Sequence, residues 1–382
     1  MGKQLENGNG RMTLNVDHLL ISTPNILVGD RVRGQLEAAG IRTGGSELGL
    51  EVQCGMMRWQ LVAESIAAML SPAERHDTRV ALVSVGRDRG AVHRAIFRAK
   101  GLDELLREMR ESWLEEVMSD GGLEIHFQPL VQYPPGRVHG YECLMRGVDR
   151  EGRLISPGKM FLAAQTLNRV RELDERCRAE ALRACARMAD DRVTFFVNFI
   201  PSAVVSGDEF VESLLRELQK GRLRAGQIVL EVVETDRSQD QRHLAGILRR
   251  LRKAGFKVAL DDVGSGYSSL LSLCRLRPDY IKLDGELVRR AAFSTLEAKM
   301  IADLADAARE NGIITVAEGI ETEQQLKLVL DCGIRLTQGY VHAQPEPRLL
   351  GAERLRGVLR KLSEVAHRRS GCAAAAGGGT ES

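Results

Sequence analysis

The sequence predicts a TIM-like (β/α)8 barrel with an antiparallel first strand, preceded by a small N-terminal α/β module. From Leu123 onward, short apolar runs alternate with amphipathic helical segments, a pattern typical of βα units. Eight runs fall within roughly 240 residues, which suits a TIM barrel. Of all residues 43% are hydrophobic and only 4% aromatic, as expected of an aliphatic parallel α/β core. The predicted strands are Ile125–Val131, Val138–Met145, Thr194–Phe199, Ile228–Val233, Val258–Val263, Tyr280–Leu283, Ile313–Val316 and Leu336–Val341.

The first two predicted strands are separated by a short turn, Tyr133-Pro134-Pro135-Gly136. Parallel strands need a crossover of a dozen or more residues, so this turn predicts an antiparallel pair. Helical segments fill the later gaps. They are predicted over 161–188, 209–218, 241–254, 287–311 and 323–331.

Four segments make up the predicted domain organisation. Residues 1–101 are an N-terminal sensory or interaction module, and residues 102–120 are a connecting helix. The apolar stripe over Leu102–Val117 indicates that helix, although the same stripe is equally compatible with a helix that packs on its own domain. Residues 121–366 form the barrel, and the low-complexity residues 367–382 form a disordered tail.

Inside the N-terminal module the apolar patterns predict a mixed α/β arrangement. Ile26–Val28 and Val80–Val85 predict strands. Met57–Leu70 predicts a helix that ends before Pro72.

Composition and charge narrow the classes of partner. The net charge is +2 and the pI is about 8.2, which gives no reason to expect a nucleic acid or a membrane as partner. No apolar run reaches the ~18 residues of a membrane span. The seven cysteines are odd in number and include no CxxC pair. They argue against a disulfide framework or structural zinc site and predict a cytoplasmic protein.

Polar side chains stand at or near the ends of the predicted barrel strands. In a TIM barrel the carboxyl ends of the strands converge on one site. Asp261 and Asp262 are adjacent, and neighbouring side chains of a strand point to opposite faces. They can share a site only where the strand ends and the backbone turns, which Gly264 and Gly266 permit. The candidate site residues are Glu142, Asn198, Glu231, Asp261, Asp262, Lys282, Glu318 and Gln338.

These side chains predict a divalent metal centre. Oxygen ligands without His or Cys suit Mg²⁺ or Mn²⁺ rather than zinc. The five carboxylates carry five negative charges and Lys282 carries one positive charge, so two divalent cations would neutralise the set. With two ions the site would clamp a phosphodiester, activate a water and stabilise the leaving oxygen. A single strand-end Glu is usually a solvated residue, so the prediction depends on the whole set.

The stretch Leu123–Pro347 resembles the EAL domain, the cyclic-di-GMP-specific phosphodiesterase family. The motif that names the family is present as Glu142-Cys143-Leu144 within YECLMR. Further motifs follow in the family's order: FQP at 127–129, VNFIP at 197–201, LEVVE at 230–234, DDVGSGYSSL at 261–270, YIKLD at 280–284, AEGIET at 317–322 and QGY at 338–340.

The resemblance implies a role for each matched residue. A first ion would be held by Glu142, Asn198, Glu231 and Asp261, and a second by Asp261 and Asp262. Lys282 would position the attacking water. Glu318 would act as a general base or bind near the second ion, supported by Gln338. Glu234 would brace the loop Val263–Ser269, and the substrate would contact Gln128, Leu144 and Arg146.

The implied activity is hydrolysis of cyclic di-GMP to linear pGpG by two-metal-ion catalysis, regulated by the N-terminal module. Members of this family often form homodimers through helices near the paired-aspartate loop. The alternative is a catalytically weak or inactive cyclic-di-GMP receptor acting through protein interaction. A third reading is an unrelated metal-dependent barrel enzyme.

Few residues depart from the family pattern. Cys143 replaces the usual alanine, and strand parity predicts that its side chain points away from the site as an inert buried thiol. Val263 replaces a common phenylalanine, and Gly285-Glu286 stand where Arg-Ser is frequent. These changes bear on loop order and turnover, not on metal binding.

Overall fold

The computed structural model describes residues 16–46, 49–54, 59–84, 89–119, 121–188, 192–233, 241–264, 273, 275–349, 359 and 362. The chain divides into two compact units, Met1–Leu114 and Glu115–Ser382. The division falls within residues 102–120, the predicted connecting segment.

The first unit contains an antiparallel sheet of five strands in the order β2-β3-β1-β4-β5. Its core is aliphatic and combines one face of the sheet with the buried sides of its helices, including Leu19, Val32 and Ile66. The elements are β1 Val16–Ser22, α1 Ile26–Ala38, β2 Thr43–Ser46, β3 Gly49–Gln53, α2 Trp59–Met69, α3 Pro72–Asp77, β4 Arg79–Ser84, α4 Arg89–Phe97, β5 Lys100–Gly101 and α5 Leu102–Arg110.

The predicted strand at Ile26–Val28 is wrong, because helix α1 begins there. The Asn25 side chain accepts a hydrogen bond from the Val28 amide at 3.0 Å, which caps the first turn. Val28, Val32 and Leu36 then recur at the helical period and are buried. The capping residue and this period outweigh the local apolar run.

The predicted single helix over Leu102–Val117 is also wrong. It is two helices, α5 and α6 (Trp113–Val117), separated by a turn at 111–112. Within that turn the Trp113 indole donates to Glu111 Oε2 at 2.8 Å. Leu102 and Leu105 of α5 are buried in the core of the first unit.

The second unit is a closed barrel. Eight strands follow one another in the order β6-β14-β13-β12-β11-β10-β9-β7, and pairing between β6 and β7 completes the ring. The short strand β8 is antiparallel to β7. The strands are β6 Leu123–Gln132, β7 Arg137–Val148, β8 Leu154–Ile155, β9 Thr194–Asn198, β10 Ile228–Val233, β11 Lys257–Val263, β12 Tyr280–Leu283, β13 Ile314–Ala317 and β14 Leu336–Gln338.

Strand β6 runs against both of its neighbours, which confirms the predicted antiparallel first pair. Gln128 lies opposite Glu142 of β7, and Leu130 lies opposite Gln338 of β14. The remaining barrel pairs, from β7 through β9 to β14, are parallel.

The barrel helices follow the predicted segments with two divisions. Residues 161–188 belong to two helices, as do residues 287–311. Gly255 and Gly333 each have positive φ just after a helix, and the amide that follows each of them bonds back to a carbonyl five residues earlier. The helices are α7 Pro157–Thr166, α8 Val170–Arg187, α9 Gly207–Gln219, α10 Gln241–Lys253, α11 Gly285–Ala291, α12 Thr295–Glu310 and α13 Glu323–Asp331.

Among the helices that the structure describes, none combines the length and the apolar composition that a membrane crossing requires.

A layer of apolar side chains fills the barrel interior. Each comes from a different strand, and all are nearly inaccessible to solvent. Side chains alternate along a strand, so the next inward position lies two residues towards the mouth. This layer is the floor of the site: Leu130, Phe196, Val229, Ala259, Tyr280, Val316 and Leu336.

Candidate metal centre

The candidate site is the layer of side chains immediately above that floor. Counting two residues along each parallel strand leads from the floor to a polar residue. β6 runs the other way, so its polar residue, Gln128, precedes Leu130. The pairs are Phe196 with Asn198, Val229 with Glu231, Ala259 with Asp261, Tyr280 with Lys282, Val316 with Glu318, and Leu336 with Gln338.

The Lys282 ammonium lies at the centre of this layer. Its Nζ is 2.8 Å from Glu231 Oε1 and 2.6 Å from Glu318 Oε1. It is also 3.3 Å from Asp261 Oδ1 and 3.5 Å from Glu142 Oε2. Lys282 is 1% exposed and Glu231 is 0% exposed. One buried cation therefore meets four carboxylates.

The charges of this cluster are unbalanced. Burial favours a neutral lysine, but the surrounding carboxylates outweigh it and raise the pKa of Lys282 well above its ordinary value. Burial also raises the pKa of Glu231 well above its ordinary value; Lys282 opposes this, and the other carboxylates reinforce it. The site holds more negative charge than a single ammonium group stabilises.

Glu142 differs from Glu231 because side-chain amides surround it. Gln338 Nε2 donates to Glu142 Oε2 at 2.6 Å, and Asn198 Nδ2 donates to Oε1 at 3.3 Å. Burial alone would raise the pKa of Glu142, but Lys282 and these amides outweigh it and lower that pKa. Gln338 Nε2 also donates to Gln128 Oε1 at 2.9 Å, so the first and last strands of the barrel hold this carboxylate together.

Backbone geometry brings the paired aspartates to one place. The β11–β12 register is irregular between Leu260 and Val263, and Asp262 has a φ of 56°, in the left-handed region. The Asp262 amide donates to Asp261 Oδ1 at 3.0 Å. One oxygen from each of Asp261, Asp262 and Glu318 lies within 4.8 Å of the others. The backbone turn that the sequence requires is therefore present at the second aspartate.

Two further carboxyl groups of this cluster titrate unusually. Burial raises the pKa of Asp262, and the charge of Asp261 adds to the effect. Burial raises the pKa of Glu318 to about 8, although Lys282 opposes that shift. Both directions indicate carboxylates that a nearby cation would stabilise.

The donor set fits divalent cations with hard oxygen ligands. Among the described residues, Glu231 Oε1 is met by the Lys282 ammonium, whereas neither Glu231 Oε2 nor the side-chain oxygen of Gln338 accepts a hydrogen bond. Buried oxygens without donors are costly, and a bound cation satisfies them. Carboxylate and amide oxygens are the ligands that Mg²⁺ and Mn²⁺ prefer.

The predicted substrate contacts lie along β7 and β6. Leu144 and Arg146 are half-buried on the same face of β7 as Glu142. The Arg146 guanidinium donates to the Met145 carbonyl at 2.8 Å. Gln128 is buried and belongs to the amide network of Glu142.

Some predictions fall outside the described residues. These are the role of Glu234, residues 265–269 of the loop that it would brace, all of 367–382 and most of 353–366. Cys143 does point away from the site, as its strand parity predicts, and its sulfur contacts Cys185 of α8.

Asp284 is a nearby acidic residue that the sequence reasoning missed. It follows β12 two residues after Lys282, so strand parity was the available signal. Its side chain accepts a hydrogen bond from the Glu286 amide at 2.9 Å and caps α11. Its charge also contributes to the raised pKa of Asp262.

Several known proteins are similar to this chain in sequence or in structure. The cyclic di-GMP phosphodiesterase NbdA of Pseudomonas aeruginosa is 29% identical over 240 residues, which cover 62% of this chain and 30% of NbdA. The probable cyclic di-GMP phosphodiesterase PdeG of Escherichia coli is 31% identical over 238 residues, covering 62% of this chain and 47% of PdeG. The solved structure of the PaMucR phosphodiesterase in complex with c-di-GMP is 29% identical, with a TM-score of 0.54, and covers 66% of this chain and 99% of that one.

The chain thus spans less than half the length of these two curated relatives. Residues 110–345 match the EAL domain model, which is more than half of the chain. The protein therefore belongs to the EAL domain family.

Proposed function

We propose that the protein hydrolyses cyclic di-GMP to linear pGpG with two divalent ions, Mg²⁺ or Mn²⁺, at the barrel mouth. The observation that carries the proposal is the contact of Lys282 with four buried or half-buried carboxylates. Such an excess of negative charge is costly unless cations bind. The activities for which NbdA and PdeG are named support cyclic di-GMP as the substrate.

The proposed ligands divide between two ions that share one aspartate. Asp261 is the shared residue because it lies between the strand interior and Asp262. When bound, the ions would lower the pKa of a water and stabilise charge on the phosphoryl oxygens. The first ion would take Glu142, Asn198, Glu231 and Asp261, and the second Asp261 and Asp262.

Lys282 and Glu318 are proposed to manage the attacking water. An ammonium only donates hydrogen bonds, so Lys282 would orient a lone pair of the water and remain protonated. Glu318 would accept the proton of the water. A carboxyl with a pKa near the working pH is an efficient general base, and burial shifts Glu318 in that direction.

The remaining predicted residues would support or contact the substrate. Gln338 holds Glu142 in place through its 2.6 Å hydrogen bond. Arg146 would pair with a phosphate, a geometry for which a guanidinium is suited. Leu144 and Gln128 would line the same mouth, and Glu234 would brace the loop after the paired aspartates.

The test is a product assay on the purified full-length protein with Mn²⁺ or Mg²⁺. Chromatography should detect pGpG from wild type and none from Glu142→Ala. Glu212→Ala is the matched control, because this glutamate lies on α9 with a side chain 68% exposed and should leave the rate unchanged. Cyclic di-GMP that stays bound and intact with both metals would reject hydrolysis and favour the receptor alternative.

We also propose that the N-terminal module regulates this activity. The two compact units meet in sequence between Leu114 and Glu115, which defines a truncation for comparison. The rate of cyclic di-GMP hydrolysis is compared at equal molar concentrations of the full chain and of Glu115–Ser382, and a difference between the two supports regulation. Equal rates at equal metal occupancy would contradict it.

A homodimer through the barrel is the proposed assembly. Three apolar side chains around the turn between α11 and α12 are exposed: Phe293 at 90%, Leu296 at 69% and Met300 at 56%. α11 is close to Gly264, two residues after the paired aspartates, because a Cβ at Gly264 would lie 2.5 Å from Leu287. Phe293→Ser should convert a dimer to a monomer in light scattering, whereas Phe97→Ser, at an equally exposed position of the first unit, should not.

The cytoplasm is the proposed location. Among the described residues, no cysteine forms a disulfide bond. Free thiols suit a reducing compartment, where disulfides are transient or redox-sensing.

A further inference from the structure

Two thiols are in direct contact between the barrel wall and the helix that covers it. The sulfur of Cys143 in β7 lies 3.3 Å from the sulfur of Cys185 in α8. Cys143 is 5% exposed and Cys185 is 0% exposed. A disulfide bond is about 2.0 Å long, so the two sulfurs need to approach by only about 1.3 Å.

The surroundings of Cys185 permit that movement. Cys185 lies in the last turn of α8, which ends at Arg187, and its carbonyl accepts a hydrogen bond from Met188 at 3.0 Å. Terminal turns of helices open at lower free energy than central turns. Cys143, by contrast, is central in β7, where it lies opposite Phe127 of β6.

We propose that Cys143 and Cys185 are a modification site that forms a reversible disulfide with a small two-electron oxidant such as hydrogen peroxide. The peroxide O–O bond breaks as one thiol becomes a sulfenic acid and a water leaves. The second sulfur then attacks the first, the S–S bond forms, the S–O bond breaks and a second water leaves. Two thiols and one peroxide thus give one disulfide and two waters.

The position of this bond distinguishes it from surface oxidation. It joins two residues 42 positions apart and fixes the end of α8 to the strand that carries Glu142. Cys177 on the same helix is half-buried, and the structure records it as a free thiol. It therefore serves as the matched control.

The experiment uses the full-length protein with bound Mn²⁺, treated with hydrogen peroxide, unfolded and alkylated. Mass spectrometry should show a loss of about 2 Da, a linked peptide that contains Cys143 and Cys185, and reversal by dithiothreitol. Cys185→Ala and Cys143→Ala should lose the linked peptide, while Cys177→Ala should retain it. Both alanine variants keep an apolar group at a buried position, and circular dichroism checks their fold.

The proposal is overturned if Cys143 and Cys185 still alkylate fully after unfolding, under peroxide conditions that oxidise Cys177. It is also overturned if either sulfur is found only as a sulfinic or sulfonic acid, or only linked to another cysteine.

Discussion

Lys282→Met removes the ammonium that meets four carboxylates within 3.5 Å, and it should strongly destabilise the metal-free protein. Removal of one partner from a buried ion pair costs about 3–5 kcal/mol. For a domain of this size each kcal/mol lowers the unfolding temperature by about 2–4 °C, so we expect a decrease of roughly 6–20 °C.

The decrease in the unfolding temperature of Lys282→Met should grow as the pH rises. The carboxyls of Glu231 and Glu318 already have raised pKa values, the latter about 8, so the folded state binds protons that the unfolded chain releases. Stability therefore falls as pH rises from the unfolded value of about 4.5 through the folded one, and loss of the ammonium enlarges the effect. Added Mn²⁺ should reduce the difference in unfolding temperature between wild type and Lys282→Met, because the charge of the ion replaces that of the lysine.

The assay is scanning calorimetry of the barrel transition in EDTA at pH 6 and pH 9, and again with Mn²⁺. Lys299→Met is the control, since its side chain is 71% exposed beside Asp303 and its loss should leave the transition unchanged. If the two variants unfold at the same temperature in EDTA at pH 9, the ammonium does not stabilise the cluster, and the reasoning fails.

Three other variants test separate features of the barrel. Gly339→Ala should cost more than about 3 kcal/mol in urea unfolding, because its Cβ would lie 2.1 Å from the Ile320 carbonyl oxygen. Burial lowers the pKa of His342 to about 4, so its neutral form stabilises the fold above pH 6.5. Acidification from pH 6.5 to pH 4 removes about 3 kcal/mol of that stability, and His342→Gln should remove this dependence. Glu231→Gln should abolish the stabilisation by Mn²⁺, about 3 kcal/mol at 100 times the Kd, without destabilising the metal-free protein.

Each of these variants has a matched control or a contradicting result. Gly158→Ala has no heavy atom within 4 Å of its new Cβ and should be neutral; equal losses at both glycines would contradict the steric argument. A pH profile that His342→Gln leaves unchanged would assign the acid sensitivity to other groups. Glu212→Gln should keep the full Mn²⁺ shift, and a normal shift in Glu231→Gln would exclude this carboxylate as a ligand.

The sequence predicts the barrel and most of its site because both follow from the two-residue alternation of side chains along a strand. Apolar strand residues alternate inward, and the polar residue two positions on, such as Glu231 after Val229, lies in the next layer. The same rule would also have found Asp284 from Lys282. The left-handed backbone of Asp262 has no such pattern, because tertiary packing imposes it on a residue that tolerates it.

Residues 161–188 and 287–311 are each predicted as one helix but form two. Local sequence signals mark the ends of these helices, but the apolar helical period obscured them. Asn168 has a φ of 55° between α7 and α8, and asparagine is among the few residues that readily adopt this conformation. Ser294 accepts a hydrogen bond from the Glu297 amide at 3.4 Å and begins α12, which is an S-x-x-E signature. Apolar residues on both sides of each break continued the helical pattern and concealed these ends.

Closure of the ring between β6 and β14 determines when the centre can exist during synthesis. Gln338 reaches Gln128 across 210 positions and Glu142 across 196, so these bonds form only when the last strand docks onto the first. Contacts between such distant residues form late and slowly. A ribosome-bound chain that lacks β14 thus carries every carboxylate of the proposed centre without the amide that aligns Glu142, so the centre can be complete only after β14 has been translated.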